Sequence, residues 1–104
     1  MKGGLAYRIT DRFERDYRGL QVDLQRAVDE CIFDLESDPI PSSRRPHSVT
    51  PRGTRPNVLT VDVTANKSHK LSFHIEGRVA VLRRVGTHKQ IDRGPDCEEF
   101  PTHL

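Results

Sequence analysis

The sequence predicts an α+β domain with the order β-α-α-β-β-β, an antiparallel sheet packed against a helical hairpin. Three observations carry that expectation. One apolar stripe at helical spacing dominates the first third of the chain. A proline- and arginine-rich stretch interrupts it. Two alternating segments and one continuously apolar segment then follow in close succession. With 104 residues the chain suits a single core. We expect residues 1–94 to form that domain and residues 95–104, with Pro95 and three acids, to form a loose acidic tail.

Leu5-Ala-Tyr-Arg-Ile9 is short and alternates, and reads as the first strand. Asp11-Arg-Phe-Glu14 has the form of a capping box, with Asp11 accepting from the third helical N–H. Phe13, Tyr17 and Leu20 follow at helical spacing, and Gly19 weakens the helix where a bend is useful. Leu24, Ala27, Val28, Cys31, Ile32 and Leu35 form the stripe of a second helix over Gln21 to Glu36, which reads as core packing. Ser37-Asp-Pro39 ends it, because proline disfavours helical geometry in the preceding residue.

Residues 39–56 hold five of the seven prolines and the arginines Arg44, Arg45, Arg52 and Arg55. A loop of this length is long for a compact domain. Its charge suits a phosphate backbone, and a plain surface loop fits it equally well. His47 lies within it. Val58–Val63 and Lys70–Ile75 then alternate as strands, and Val79–Val85 is more continuously apolar. Glu76-Gly77-Arg78 makes the tight turn between the last two. A two-residue turn puts Arg83 on the face shared by Lys70, Ser72 and His74. A three-residue turn puts Arg84 there, and periodicity leaves both open.

The net charge of +2 hides an asymmetry. Residues 1–38 carry six Lys/Arg against nine Asp/Glu, residues 39–94 carry eleven against three, and the tail adds three acids. A basic sheet half on an acidic helical half points to a polyanionic partner, and nucleic acid is the expected one. No apolar run approaches the ~20 residues of a membrane span. The start, Met1-Lys-Gly-Gly, lacks the apolar stretch of a secretory signal. Two cysteines, Cys31 on the buried stripe and Cys97 in the tail, suggest a reduced cytoplasmic setting. No metal or cofactor is expected. No histidine pair has ligand spacing, and His69 and His74 point to opposite faces of one strand.

The last strand carries the chemistry. Val79-Ala-Val-Leu-Arg-Arg-Val85 runs into Gly86-Thr-His88-Lys-Gln-Ile-Asp92, so paired arginines, a glycine and a histidine meet where the chain leaves the sheet. Such a group can bind phosphate and move a proton. Taken alone it also fits a strand with solvated charges.

The order of these pieces resembles the RelE/ParE toxin superfamily of bacterial toxin–antitoxin modules, over roughly residues 5–93. The carriers are Phe13 and Leu20, Leu35-Glu-Ser-Asp-Pro39, the His47 loop, Ser68-His-Lys-Leu-Ser-Phe73 and Arg84-Val-Gly-Thr-His88. The last is most similar to the YafQ-type branch. The resemblance implies a metal-independent endoribonuclease acting on mRNA on the translating ribosome, and a cognate antitoxin that masks the basic face. It assigns His88 as general acid, Arg84 as transition-state stabiliser and His47 as a contributing loop histidine, with His69 the candidate base. Arg44, Arg45, Arg52, Lys70, Arg83 and Lys89 are the cations expected to meet substrate. Two positions depart from the pattern: Lys70 stands where relatives carry arginine, and Asp92 where many carry an aromatic residue. A ParE-like gyrase poison and a non-catalytic binding module of the same fold are the alternatives.

Overall fold

The computed structural model describes residues 6–37, 40–48 and 58–94. Arg52 and the tail 95–104, with Cys97 and His103, lie outside these, as do Asp38 and Pro39 of the expected helix stop. The elements are β1 (Ala6–Ile9), α1 (Asp11–Arg18), α2 (Val22–Leu35), β2 (His47–Ser48), β3 (Leu59–Asp62), β4 (His69–Glu76), β5 (Val79–Thr87) and α3 (His88–Arg93), with one 3₁₀ turn at Ser42–Arg44. The sheet order is β1-β5-β4-β3-β2. It is antiparallel from β2 to β5, and β1 adds in parallel to β5, with Ala6 opposite Val79 and Ile9 opposite Leu82. The α+β class is therefore as expected, with one parallel edge that local patterning does not specify.

That edge is set by Thr10. It, rather than Asp11, caps α1: its Oγ1 accepts from Phe13 N at 3.1 Å. The same hydroxyl donates toward Leu82 O at 3.0 Å and Arg83 O at 3.2 Å, and Thr10 N donates to Leu82 O. One side chain thus starts the helix and ties it to β5. Gly19 closes α1, and α2 returns beside it. Gln25 Nε2 donates to Tyr17 O at 3.0 Å and Tyr17 Oη donates to Asp29 at 2.9 Å, which fixes the hairpin.

Alternation does the rest. Phe13, Val28, Cys31 and Leu35 from the helices pack on Val61, Leu71, Phe73, Ala80, Leu82 and Val85 of the sheet and on Val63 just after β3. Full burial of a large apolar side chain such as Leu35, Leu71, Phe73 or Leu82 contributes roughly 1.5–3 kcal/mol each. Burial also pushes the Cys31 thiol up to about 11. Thr60, Asp62, Lys70, Ser72 and His74 take the opposite face and are buried as well. A polar sheet face from which water is largely excluded is the setting for the site.

The β4–β5 hairpin resolves the arginine question. Its turn is the two-residue kind, Glu76 opposite Val79, with Gly77 at φ 62° and Arg78 not in the left-handed region, the pattern of a type II′ turn. Between Ser72 and Phe73 the register then shifts by one residue: Phe73 pairs with Leu82 but Ser72 with Arg84. Arg83 is the extra residue of this β-bulge. The short turn and the position of Arg84 opposite Ser72 are thus both true.

Candidate functional site

The end of β5 is built for a sharp exit. Thr87 caps α3 through a full capping box: its Oγ1 accepts from Gln90 N at 3.2 Å, and Gln90 Oε1 accepts from Thr87 N at 2.9 Å. Gln90 lies directly over Gly86, where a Cβ would stand 2.5 Å from its Oε1. In Gly86-Thr-His88, then, glycine makes room, threonine starts the helix, and the histidine is delivered at its first position. Ile91 is fully buried and anchors the helix to the sheet.

His88 is half-exposed, and its backbone N donates to Ser68 O at 2.9 Å. Its Nε2 lies 2.8 Å from Asp92 Oδ2, one helical turn on, and its Nδ1 lies 3.4 Å from Lys67 O. Both neighbours are acceptors, so each ring nitrogen faces an oxygen. The other oxygen of Asp92 accepts from Lys70 Nζ at 3.2 Å, a lysine whose side chain is 8% exposed. One carboxylate therefore joins Lys70 to His88, and the two departures from the family pattern, Lys70 and Asp92, touch each other. His69 stands opposite Thr87 in the sheet, next to His88 in the chain, with Nδ1 2.8 Å from Ser68 Oγ. The His69 ring therefore lies on the face of β4 opposite Lys70, and the His88–Asp92–Lys70 chain runs without it.

The arginines divide. Arg83 is buried on the polar face, with Nη1 2.8 Å from His74 Nδ1. Guanidinium only donates, so Nδ1 of His74 accepts and its Nε2–H donates to Glu76 at 2.9 Å. That hydrogen bond is the main cause that holds the Glu76 carboxyl below its usual range. Arg84 is drawn instead to α1 and α3: Nε donates to Asp16 Oδ2 at 3.2 Å and Nη1 to Gly94 O at 3.0 Å. Asp16 Oδ2 also accepts Val85 N at 3.2 Å, beside the bulge, while Oδ1 accepts Arg12 Nε at 3.3 Å. Arg84 and Lys89 line a cleft with Arg93.

The loop cations are further out. Arg44 is committed to the scaffold, donating to Asp34 at 2.8 Å and to the carbonyls of Asp62 and Val63. Arg45, at φ 54°, lies 3.4 Å from Asp62, which stands opposite Lys70. The His47 backbone pairs with Thr60, in the cross-strand row of Ser72 and Arg84. The structure therefore joins His88 to Lys70 through Asp92, leaves His69 beside Ser68 on the other face of β4, sets Arg83 deeper on the Lys70 face, and turns Arg84 and Lys89 to a neighbouring cleft. Sequence reading missed Asp92 as a partner of His88, although the Thr87-x-x-Gln90 capping signature was there to announce the helix that places them one turn apart. No group of three or more potential metal ligands exists among the described residues.

No protein-family model and no curated protein sequence matches the chain. Solved structures do match. The toxin–antitoxin complex RelBE2 from Mycobacterium tuberculosis aligns with a TM-score of 0.64 at 20% identity, over 82% of this chain and 99% of that one. The archaeal RelE–RelB complex from Pyrococcus horikoshii gives 0.64 at 12% identity, over 81% and 94%. YafQ from E. coli gives 0.58 at 12% identity, over 84% and 97%. The fold is that of the RelE-like toxins. Near-complete coverage of those chains means that the RelE-like architecture is present here from β1 to α3. Among the described residues no helix is long and apolar enough to cross a membrane.

Proposed function

We propose that this RelE-like protein is the toxin of a toxin–antitoxin module and a metal-independent endoribonuclease that cleaves mRNA, on the ribosome, in the cytoplasm. The observation that carries the reading is the end of β5, where His88 is held by Asp92 and Asp92 in turn by the buried Lys70. In-line cleavage of RNA needs a base for the ribose 2′-OH, an acid for the departing 5′-oxygen, and cations around the phosphorane. His69 takes the 2′-OH proton as the 2′-oxygen bonds to phosphorus. His88 returns a proton to the 5′-oxygen as the P–O5′ bond breaks, leaving a 2′,3′-cyclic phosphate and a 5′-hydroxyl. Lys70 and Arg83 supply positive potential from the sheet face, and Arg84 holds phosphate from the cleft side. Arg45 of the loop adds a further cation beside Asp62, and His47 and Arg52 are assigned to the substrate by the resemblance alone. Arg44, bonded to Asp34 and two carbonyls, contributes by fixing that loop. The antitoxin is the protein partner, and it covers the basic face.

Wild type and His88→Ala, induced in a bacterial host, test this by mapping mRNA 5′-ends. Loss of a general acid lowers the rate by about 10²–10⁴. New 5′-ends in translated mRNA with the wild type, absent with the variant, are the expected result. Growth arrest by both proteins without cleavage would transfer the reading to a ParE-like gyrase target. No arrest from well-expressed wild type would leave a non-catalytic binding module.

A further inference from the structure

We infer that the cleft beside α3 is a phosphate subsite for a nucleotide flanking the cleaved bond, with Lys89 and Arg93 as its principal ligands; this rests on the ribonuclease reading above. The cleft measures about 450 Å³ and is lined by Arg84, Thr87, Lys89, Gln90, Arg93 and Gly94. That is room for a phosphate and its sugar within the usual range for ligand sites. Among the described residues three cations line it and no carboxylate does. Asp16, the nearest acid to Arg84, binds Nε from α1, and Asp92 is turned to Lys70 and His88. Of the five N–H groups of Arg84, Nε and one on Nη1 have partners, so donors remain for a ligand.

Helix geometry supplies a second argument. Lys89 and Arg93 are four residues apart on one face of α3, and like charges at that spacing disfavour a helix. Neither has a carboxylate partner among the described residues. The arrangement costs stability in the free protein, and a bound anion relieves it. At 100° per residue, the Lys89–Arg93 face adjoins the His88–Asp92 face. An RNA strand crossing the start of α3 would place one phosphate at His88 and a neighbouring one in the cleft.

The test measures binding of a short fluorescent single-stranded RNA, 2′-O-methylated so that it is not cleaved, against salt concentration. The double variant Lys89→Ala/Arg93→Ala should flatten the log–log salt slope by about 1.4, two cations at about 0.7 each for a single strand. The charge-retaining Lys89→Arg/Arg93→Lys should keep the wild-type slope. Both positions are exposed, so folding is not at stake. An unchanged slope in the double-alanine variant would overturn the subsite, as would an equal loss in the charge-retaining one. A slope change seen only with duplex DNA would overturn the RNA assignment. Cleavage of mRNA with an unchanged slope rejects the subsite alone. A flattened slope without any cleavage keeps the RNA-binding cleft and rejects the ribonuclease.

Discussion

Replacing Asp16 with alanine is expected to destabilise the fold by about 2 kcal/mol, a large share of the roughly 5–15 kcal/mol of a domain this size. The carboxylate accepts from Arg84 Nε, Val85 N and Arg12 Nε, and both it and Arg84 are nearly buried, at 14% and 13% exposed. Removing one partner of a fully buried ion pair costs about 3–5 kcal/mol, and the residual exposure here reduces that. An amide left without an acceptor adds about 1–3 kcal/mol where water cannot reach it. Against this, alanine gains up to about 0.7 kcal/mol in helix propensity. Asp16 also lies in the second half of α1, where the dipole opposes it by about 0.3–1 kcal/mol. The net loss is read from urea unfolding followed by circular dichroism. Asp16→Asn should lose less, because its amide oxygen can still accept Val85 N–H. A loss below about 0.5 kcal/mol for Asp16→Ala, or equal losses for alanine and asparagine, would refute the claim that this carboxylate secures the bulge and Arg84.

Gly86→Ala should displace the Gln90 side chain, break the reciprocal half of the capping box and cost about 1 kcal/mol, with faster hydrogen exchange in α3 as the local readout. Cys31, its thiol raised to about 11, should resist alkylation at pH 8 in the native protein and react once unfolded, measured in a Cys97→Ser background. Because its folded pKa lies above the unfolded value, the associated stability is complete below about pH 9 and is lost as pH rises through 11. Wild type and Cys31→Ala should therefore converge by about 3 kcal/mol across that window. Glu76 has its pKa lowered, so the contribution is present above the ordinary carboxylate range and disappears as pH falls through the folded value. The gap in urea midpoint between wild type and Glu76→Gln should close on acidification, and a gap that widens would contradict the His74 pairing.

What local chemistry specifies was legible in the chain. The α2 stripe lands its Val28, Cys31 and Leu35 in the core, and the alternation of β3 and β4 separates Val61, Leu71 and Phe73 from Thr60, Lys70 and Ser72. What long-range contact specifies was not. Nothing near Ala6–Ile9 says that this strand joins β5 in parallel, and the cap moved from Asp11 to Thr10 because Thr10 also binds β5. The choice between Arg83 and Arg84 turned on a bulge, which no period of two can contain. His88 was singled out by its resemblance to a motif. Asp92 was read only as a missing aromatic residue, since its value appears when α3 brings it one turn below His88 and within reach of Lys70. His47, Arg52 and the tail remain expectations, for His47 beyond its backbone pairing with Thr60.

The parallel pairing of β1 with β5 also sets the timetable of folding. Ala6 meets Val79, Thr10 binds the carbonyls of Leu82 and Arg83, and Asp16 binds Arg84 and Val85. Each of these closes a loop of most of the chain, so the first elements synthesised are the last to be secured. During vectorial synthesis α1 and α2 emerge with Phe13, Val28, Cys31 and Leu35 bare, and the strands that cover them come later. The same closure withholds the His88 corner until β5 has emerged and docked, so a nascent chain stalled before Val79 lacks Ala80, Leu82 and Val85 of the core, and His88 and Asp92 of that corner.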